Sequence, residues 1–497
     1  MPVDRSAARG GRFAGSAPKR KSRSRKKLHP AVQWILSILL MIVIFAIYFD
    51  LCLLLTRFNL FLFSRSLRLG ILAGLILAFV VLTVVLCVFG DWKRPLIAFL
   101  ICLMLYIPAN YSKIPKVEYY RDLWIQTAYS TMRHQGLMHL FLPWVSAKEV
   151  DKVEAAKMAQ VGVNTVDEFT EEGEAWVNNP IGSPEFIEIL EEAIPNFRQL
   201  PEDEQRFYAT FYELDRDSTE AYLAEHPAAL KNGYDHILID HSALSDSGTS
   251  IRTRLGEKVL AIDADNKILI VEFRAIDNRS STNSRAVLAI AKDPSRLHLY
   301  AATTLPQNGQ IVGRIASDHG GVLGMTGSGF IDEGGVGMGG QIAGAAMCGG
   351  EVYGEHYPWG YKRMELHENN WFYIQDAPTA FTSGTTDAME FQPSLIVNGK
   401  KQDVGAWIGV NPRACIGQSA YGEILMLCVE GRRSDSLGCS LEVCRDILLR
   451  HNAITAMNCD GGTTAILWYR GNPIIRCSNS AIPNGRYLPN AWIITGN

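Results

Sequence analysis

The chain has 497 residues, more than one ordinary domain requires, and a net charge of −3 that averages over segments of opposite character. Of its ten cysteines, three lie in apolar N-terminal runs, and the remaining seven form no Cys-x-x-Cys pair. An odd, scattered set argues against a disulfide framework or a structural zinc site. Most are expected in the core, and neither a metal nor another cofactor is predicted.

Residues 1–29 carry ten basic residues against one acid, Asp4, and have no apolar periodicity. This composition predicts a disordered basic cytoplasmic tail. A basic run can bind nucleic acid or anionic lipid, but ahead of an apolar run a role in membrane topology is favoured. No nucleic-acid partner is expected.

Three apolar runs follow the tail: residues 31–55, interrupted only by Asp50, residues 69–89, and residues 95–108 between Trp92 and Tyr111. The first two contain the roughly 20 apolar residues that a bilayer span requires. The third is short and could be interfacial or re-entrant, although its aromatic flanks favour a span. Residues 30–111 are therefore predicted to form a membrane region with three transmembrane helices.

The basic tail sets the orientation of these spans. With the tail cytoplasmic, three spans place everything after Tyr111 outside the cytoplasmic membrane. No small-residue cleavage site follows the first run, so we expect a permanent multi-pass anchor and not a removed signal peptide. The sequence thus predicts an extracytoplasmic catalytic domain, with the lipid bilayer as a partner of the N-terminal helices.

Residues 112–233 are acidic and have helical periodicity, which predicts a stalk between the membrane and the C-terminal domain. Its helices are expected at residues 122–141, 147–161, 183–193 and 202–225. A proline in the first turn followed by an acid, as in Ser183-Pro184-Glu185, is typical of a helix start. A calcium site would need alternating oxygen ligands around a turn glycine, and the sequence has no such pattern here.

From Val259 the periodicity changes to short β-segments, beginning with a hairpin of residues 259–262 and 267–273. Further strands are expected at residues 287–290, 297–301, 394–397, 423–429 and 491–494, with a helix at 440–450. Residues 234–497 are therefore predicted to be a catalytic domain of the α+β class, with a mixed β-sheet and surrounding helices.

The most informative stretch is Asp460-Gly461-Gly462-Thr463-Thr464, which lies between two apolar runs. An isolated Asp-Gly-Gly is more often a plain hairpin turn. A carboxylate, two glycines and two hydroxyls at a sheet edge can also hold a ligand, because glycine lets the backbone approach it closely.

Other polar segments accompany this turn in order: Asn411-Pro412-Arg413-Ala414, Glu430-Gly431-Arg432 and, downstream, Arg486-Tyr487-Leu488-Pro489. In this order and at these intervals, the residues resemble the phosphodiester glycosidase family over about residues 256–494. The resemblance implies a hydrolase that acts on sugar-1-phosphodiesters.

One position departs from the family pattern. In the segment Met325-Thr326-Gly327-Ser328-Gly329-Phe330, Thr326 stands where the family usually has asparagine. A threonine hydroxyl can donate and accept a hydrogen bond, but it lacks the two-ended amide. This difference motivates the alternative of a domain that binds glycans without cleaving them.

Cleavage of a sugar-1-phosphodiester needs a cation for the phosphate, a carboxylate for the oxocarbenium-like centre or its water, and hydrogen bonds to the sugar. On the resemblance, Asp460 is predicted to be that carboxylate and Glu430 its partner acid or base. Arg413 and Arg432 are predicted to bind phosphate, unless Arg413 pairs with a carboxylate or Arg432 is an ordinary surface residue. Arg486 is a third candidate for binding phosphate. The remaining predicted substrate contacts are Thr326, Ser328, Gly329, Gly461, Gly462, Thr463 and Thr464.

Two other patterns are weaker. The glycine-rich segment 334–340 lacks the Gly-Lys-Ser/Thr ending of a nucleotide-binding loop, and we expect a mobile loop beside the site. Asp240-His241-Ser242 has the residue types of a hydrolase triad, but adjacent strand residues point to opposite faces, which argues against one.

The leading hypothesis is a membrane-anchored phosphodiester glycosidase that acts on extracytoplasmic glycans or exopolysaccharide. The alternative is a catalytically inactive glycan-binding or exopolysaccharide-assembly module. A metal-dependent phosphodiesterase would cleave the P–O bond, and it is disfavoured because the sequence has no His/Asp ligand cluster.

Overall fold

The computed structural model describes residues 32–46, the helical positions 74, 77, 80, 81, 84, 93, 96–102 and 104, and residues 184–497 without 279, 281, 333–336, 357–360, 378–379 and 405–408. The chain divides into two compact units. The first unit comprises residues 1–52 and 71–108, and the second comprises residues 53–70 and 109–497. The predicted basic tail, most of the second apolar run and the predicted helices at 122–141 and 147–161 lie outside the described residues.

The first unit contains a helix at residues 32–46 and further helical residues between 93 and 104. Phe45 packs with Ala98 and Cys102 in a small apolar cluster.

Within the described ranges, no helix is both long enough and apolar enough to cross a membrane. This finding contradicts the predicted transmembrane region, the predicted multi-pass location in the cytoplasmic membrane, and the predicted contact of N-terminal helices with the bilayer. The predicted extracytoplasmic placement depended on those spans and has no support without them.

The second unit contains five α-helices and nineteen strands among its described residues. The helices are α1 (Pro184–Ala193), α2 (Glu202–Thr210), α3 (Arg216–Glu225), α4 (Val312–Asp318) and α5 (Leu441–Arg450). The strands are β1 (Leu238–Asp240), β2 (Lys258–Asp263), β3 (Ile268–Asp277), β4 (Thr282–Ala291), β5 (Leu297–Ala301), β6 (Gly321–Thr326), β7 (Ala346–Cys348), β8 (Glu351–Tyr353), β9 (Lys362–His367), β10 (Phe372–Asp376), β11 (Thr385–Phe391), β12 (Ser394–Val397), β13 (Lys400–Lys401), β14 (Arg413–Ser419), β15 (Ile424–Val429), β16 (Ala453–Asn458), β17 (Leu467–Tyr469), β18 (Asn472–Pro473) and β19 (Asn490–Thr495).

Three sheets make up most of this unit. A nine-stranded sheet has the order β1-β2-β3-β4-β15-β14-β16-β12-β13, and the two five-stranded sheets have the orders β10-β9-β11-β7-β8 and β18-β17-β6-β19-β5. All pairings between these strands are antiparallel. The predicted mixed sheet is therefore wrong.

The nine-stranded sheet is buried on both faces. In β4, Ala286, Leu288 and Ile290 belong to one apolar cluster, whereas Val287 and Ala289 belong to another. Because successive side chains of a strand point to opposite faces, a core layer lies on each side of the sheet. Helices α1, α2, α3 and α5 contribute to the first cluster, and the two smaller sheets contribute to the second.

Helices α1 to α3 are part of the core and do not form a stalk. Phe186 of α1 and Leu223 of α3 are buried in the cluster shared with the sheet, and the rings of Phe186 and Tyr421 meet at 5.2 Å. The long helix predicted here is divided into α2 and α3, because Leu214 leaves the helical path and forms a β-bridge with Thr253.

The fold is thus mostly antiparallel β-sheet with few helices, and the predicted α+β class with a helical stalk and a transmembrane region is wrong. Exposed acids such as Glu192, Glu202 and Asp217 gave these helices the composition of a solvated stalk, while their aromatic residues pack in the core cluster shared with the sheet. Local elements are confirmed: the predicted hairpin is β2–β3, and β5, β12 and α5 lie where expected. The four predicted segment boundaries stay predictions.

A buried ion cluster joins the helical segment to the sheet. The Lys292 ammonium lies 2.5 Å from a carboxylate oxygen of Glu213, between α2 and α3, and 2.5 Å from one of Glu423, at the start of β15. The hydroxyls of Tyr212 and Ser419 also donate to Glu423. Both carboxylates depend on this one ammonium for charge balance.

We expect Lys292→Met to lower the free energy of unfolding by about 3–5 kcal/mol, because it leaves two buried carboxylates without their counter-ion. Lys401→Met removes an exposed ion pair with Asp446 and should cost less than about 1 kcal/mol. Denaturant unfolding measures both values. Equal losses would mean that the cluster does not hold helix to sheet.

Candidate active site

Three neighbouring strands of the nine-stranded sheet, β15, β14 and β16, start or stop at the same end of the sheet. We call this line of strand ends the sheet edge. Arg413, the first residue of β14, pairs with Val429 at the end of β15, and Cys415 pairs with Asn458 at the end of β16. Since antiparallel neighbours run in opposite directions, the start of β14 lies beside the ends of β15 and β16. The polar turns that follow β15 and β16 therefore meet at the start of β14.

Glycines let these turns pack tightly on the segment before β14. A β-carbon on Gly431 would lie 2.5 Å from the Pro412 nitrogen, and one on Gly438 would lie 2.5 Å from the Asn411 carbonyl. Gly462 donates its N–H to the Pro412 carbonyl at 3.0 Å. This close approach brings the Glu-Gly-Arg and Asp-Gly-Gly turns to one place.

Asp460 is a partly buried carboxylate at this edge. Its Oδ1 accepts the Gly461 N–H at 3.0 Å, and its own N–H donates to the Gly327 carbonyl at 3.1 Å. Burial raises the pKa of Asp460 to about 6, although the Thr464 hydroxyl and the Arg486 charge oppose that effect. A carboxyl group that titrates near neutrality in a polar turn is a candidate acid–base group.

Arg413 and Arg432 are neighbouring guanidinium groups beside Asp460. Arg413 is 5 % exposed and donates to two backbone carbonyls, while Arg432 donates to Oδ1 of Asn411 at 3.1 Å. Burial and the Arg413 charge lower the pKa of Arg432 to about 10, with the Asp460 charge opposing them. Among the described side chains, neither guanidinium has a carboxylate within ion-pair distance. Two adjacent cations of this kind form a site for an anion.

The backbone of Arg432 is also unusual. Its φ is 58°, in the left-handed region that residues other than glycine rarely adopt. The Arg432 N–H donates to the Leu437 carbonyl at 3.1 Å, which holds the turn in this conformation. Such backbone strain persists where the surroundings enforce it, and it is concentrated at functional sites.

Glu430 lies at the same edge but is held in ion pairs. It is 1 % exposed and contacts Arg285 at 3.0 Å and Arg476 through both carboxylate oxygens. Burial opposes ionisation, but the Arg476 hydrogen bonds and the Arg285 charge outweigh burial and lower the pKa of Glu430. In this arrangement Glu430 joins the end of β15 to β4 and to the loop that carries Arg476, and it is a poor proton donor.

Arg486, the third predicted phosphate ligand, is also paired. Its guanidinium makes two bonds to Asp332, at 2.5 and 2.9 Å, and a third to the Gly337 carbonyl at 2.8 Å. These contacts raise the pKa of Arg486. A phosphate could use Arg486 only by competing with Asp332. Residues 334–336 of the predicted mobile loop lie outside the described residues.

The end of β6 and the segment that follows it lie beside the Asp-Gly-Gly turn, and the Gly327 carbonyl accepts the Asp460 N–H. The Thr326 hydroxyl is buried, where it donates to the Thr464 carbonyl at 2.5 Å and accepts the Ile466 N–H at 3.1 Å. Ser328 is held by the Asn490 amide, which accepts the Ser328 N–H at 2.8 Å and donates to its hydroxyl at 3.0 Å. A two-ended amide is thus present beside this segment, from β19 and not from position 326.

The glycines leave room for neighbouring groups. A β-carbon on Gly329 would lie 2.6 Å from the Phe391 ring, and one on Gly461 would lie 3.0 Å from the Pro412 carbonyl. Thr464 is buried, and its hydroxyl donates to the Gly461 carbonyl. Thr463 is partly exposed and accepts a hydrogen bond from Ser478 at 3.2 Å.

Several residues that hold the site were not predicted. Asn411 orients Arg432, Asn490 orients Ser328, and Arg285, Arg476 and Asp332 pair with predicted residues. The sequence signals for two of them were available: Asn411 precedes the Pro-Arg-Ala motif, and Arg285 is a lone cation before an apolar run. Asp332 and Arg476 have no comparable signal.

The other constellations do not form active sites. His241 contacts Asp246 and Tyr222, whereas Ser242 contacts Asp240, so these residues make no proton relay. In the part of the chain that the structure describes, no three His, Cys, Asp or Glu side chains are grouped to hold a metal ion.

Residues 319–495 match the family model of the phosphodiester glycosidases. The resemblance predicted from the motifs is confirmed over these residues. The matched segment begins later than the predicted residue 256, but it contains all the predicted site residues. No curated protein matches the chain.

Three solved structures are similar to the chain. The catalytic domain of zebrafish N-acetylglucosamine-1-phosphodiester alpha-N-acetylglucosaminidase, auto-inhibited by its pro-peptide, is 14% identical, with a TM-score of 0.40 over 46% of this chain and 83% of that one. A hypothetical protein from Synechocystis is 14% identical, with a TM-score of 0.32 over 48% and 63%. A protein from Burkholderia pseudomallei is 12% identical, with a TM-score of 0.34 over 43% and 74%.

The close packing of the turns predicts a difference between two glycines. Gly438 has a φ of 113° and no room for a β-carbon, whereas Gly471 has a φ of 102° and nothing within 4 Å of that position. Gly471→Ala should cost about 1–2 kcal/mol of unfolding free energy, from backbone strain alone. Gly438→Ala should cost a further 1–3 kcal/mol or so, because it also overpacks the turn. Similar values in denaturant titrations would contradict the proposed packing.

The raised pKa of Asp460 predicts a pH-dependent stability difference. Its folded pKa of about 6 exceeds the value near 3.9 of an unfolded chain, so the folded state binds more protons between these limits. This group therefore lowers stability as the pH rises from about 4 to 6. The melting temperature of Asp460→Asn, compared with that of the wild type, should rise across this window. Asp446→Asn, an exposed control, should give no such trend; a parallel trend in both variants would contradict the assignment.

Proposed function

We propose that the protein hydrolyses the anomeric C–O bond of sugar-1-phosphodiesters, releasing free sugar and a phosphomonoester. The observation that supports this most is the pair of guanidiniums, Arg413 and Arg432, without a carboxylate partner beside the ionisable Asp460. The match to the phosphodiester glycosidase family supports a sugar-1-phosphodiester as the class of substrate. The two cations and the carboxyl group at the site suit the phosphate and the sugar of such a substrate.

Binding begins with the phosphate. Arg413 and Arg432 supply two planar cations, and a guanidinium can engage phosphate oxygens through parallel N–H bonds. Because both groups are partly or fully buried, a bound phosphodiester anion would recover the charge balance that the free protein lacks there. Phosphate held at these arginines would leave the sugar near Asp460 and the backbone of residues 327–329.

In the chemical step the bond between the anomeric carbon and the phosphate oxygen breaks, and the phosphate keeps the bonding electrons. The carboxylate of Asp460 then acts at the oxocarbenium-like carbon, either directly or by taking a proton from the attacking water. A phosphomonoester leaves without full protonation. The second carboxylic acid that an ordinary glycoside needs is therefore not required, which suits a site where Glu430 is ion-paired.

One observation favours a second candidate. Glycosidases of ordinary glycosides employ two carboxylates, and if departure of the phosphate here also needed a proton donor, Glu430 could not supply it, because it is engaged with two arginines. A catalytically inactive glycan-binding module would use the same phosphate contacts without turnover. The two candidates differ in whether free sugar appears.

The test incubates the full chain with UDP-N-acetylglucosamine and a panel of sugar-1-phosphodiesters in heavy-oxygen water, and identifies the products by mass. We expect free sugar that carries the heavy oxygen. Asp460→Asn should lower kcat by roughly 10²–10⁴-fold, and Arg432→Gln by roughly 10²–10³-fold. Arg254→Gln and Asp446→Asn serve as exposed, charge-matched controls and should retain activity.

The position of the heavy oxygen in the products distinguishes cleavage of the C–O bond from cleavage of the P–O bond. Heavy oxygen in the phosphate would indicate P–O cleavage and refute the glycosidase. Binding of the panel without any product, in a protein whose binding weakens in Arg432→Gln, would establish the inactive glycan-binding module instead.

A further inference from the structure

A second positively charged feature lies outside this site. An open groove of about 390 Å³ is lined by the cations Arg252, Lys258, Arg274 and Arg450, together with Phe273 and other residues. None of its lining residues is a predicted site residue. We call this feature the accessory groove.

Three cations of the accessory groove have no carboxylate partner in the described ranges. Arg252 donates to the Ile251 carbonyl at 3.2 Å, Lys258 donates to a backbone carbonyl, and Arg274 donates to Asn283 and to the Asp435 carbonyl. Carbonyl oxygens orient these side chains but do not neutralise them. The charge is available to an anion.

The acids of the groove are already engaged. Glu257 accepts hydrogen bonds from Arg450 at 3.0 Å and from His451 at 3.1 Å, and these contacts lower the pKa of Glu257 against the opposing effect of burial. Glu272 contacts Arg285 at 2.6 Å. The guanidinium of Arg450 lies 5.2 Å from the Phe273 ring centre, which gives one wall an apolar surface. The groove therefore carries net positive charge.

The strand register relates the groove to the candidate active site. Lys258 of β2 pairs with Glu272 of β3, and Arg274 of β3 pairs with Arg285 of β4. β14, which begins at Arg413, is four strand spacings from β2, or about 19 Å. Arg274 also bonds to the turn that contains Arg432. A single sugar phosphodiester cannot reach both places, whereas a chain of phosphodiester units can.

We propose that the accessory groove binds the phosphates of a phosphodiester-linked polymer, at units removed from the bond that lies at Asp460. The type of linkage in this polymer is taken from the proposed function, on which the inference rests. The length of the substrate is inferred from the accessory groove. A polyanion gains affinity by releasing counter-ions at each neutralised phosphate, so several spaced cations favour a polymer over its isolated unit. The substrate class is thus polymeric.

The test measures binding of fluorescently labelled poly(glycerol phosphate) to the full chain by anisotropy at several salt concentrations. Arg252→Gln/Lys258→Gln should weaken polymer binding roughly tenfold and reduce the slope of log affinity against log salt by about two. Lys231→Gln/Lys400→Gln changes two exposed lysines outside the groove and should bind like the wild type. Unfolding midpoints confirm that the variants fold, and Arg252→Gln alone provides a milder substitution.

Turnover of a single-unit sugar-1-phosphodiester separates this inference from the proposed function. Turnover unchanged by the groove substitutions, with polymer binding lost, supports both. If the groove substitutions abolish polymer binding but the wild type cleaves no single-unit sugar-1-phosphodiester, the groove proposal is supported and only the proposed catalysis is refuted. Wild-type polymer affinity in the double variant, or no polymer binding by the wild type, overturns the groove proposal.

Discussion

The antiparallel register of β14 with β15 and β16 is the constraint on which the candidate site depends. Pairing of Arg413 with Val429, and of Cys415 with Asn458, determines which residues project beyond the sheet edge. A slip of one residue would turn every side chain of β14 to the opposite face. Both faces are packed with apolar side chains, so such a slip would also disrupt two core layers. The stability of the core and the geometry of the site therefore have the same origin.

At this edge, charge pairing separates structural groups from groups available to a ligand. Glu430 and Arg486 both have strong partners, and removing either partner would leave a buried charge uncompensated. Arg413, Arg432 and Asp460 influence one another, but none of these three forms an ion pair within the described part of the chain. A protein that keeps buried like charges together loses stability. Binding of an anionic ligand that offsets this loss of stability is the simplest explanation for the two adjacent arginines.

The sequence predicted those features that depend on neighbouring residues. The hairpin β2–β3, the strand β12 and the helix α5 have clear local periodicity, and the Asp-Gly-Gly turn is a contiguous motif. Features that depend on distant residues were missed. The two arginines that neutralise Glu430 are 145 and 46 residues away from it, on another strand and in a loop. The helices α1 to α3 were mistaken for a stalk because composition does not reveal that Phe186 and Leu223 face a sheet. The apolar N-terminal runs met a length criterion in sequence, whereas no helix among the described residues is both long enough and apolar enough to cross a membrane.

The charges at the site are coupled, and a bound phosphate would change that coupling. In the free protein, burial raises the pKa of Asp460, while the positive charge of Arg486 opposes that effect. A phosphodiester anion at Arg413 and Arg432 would add negative charge close to Asp460 and raise its pKa further. A more basic carboxylate is a better acceptor for the proton of an attacking water, provided that it remains ionised. In the proposed reaction the phosphate gains negative charge and the sugar carbon becomes positive when the C–O bond breaks, and an ionised Asp460 would stabilise that positive carbon. Under the proposed function, the phosphate held by Arg413 and Arg432 would thus also raise the pKa of the carboxylate that acts on the sugar.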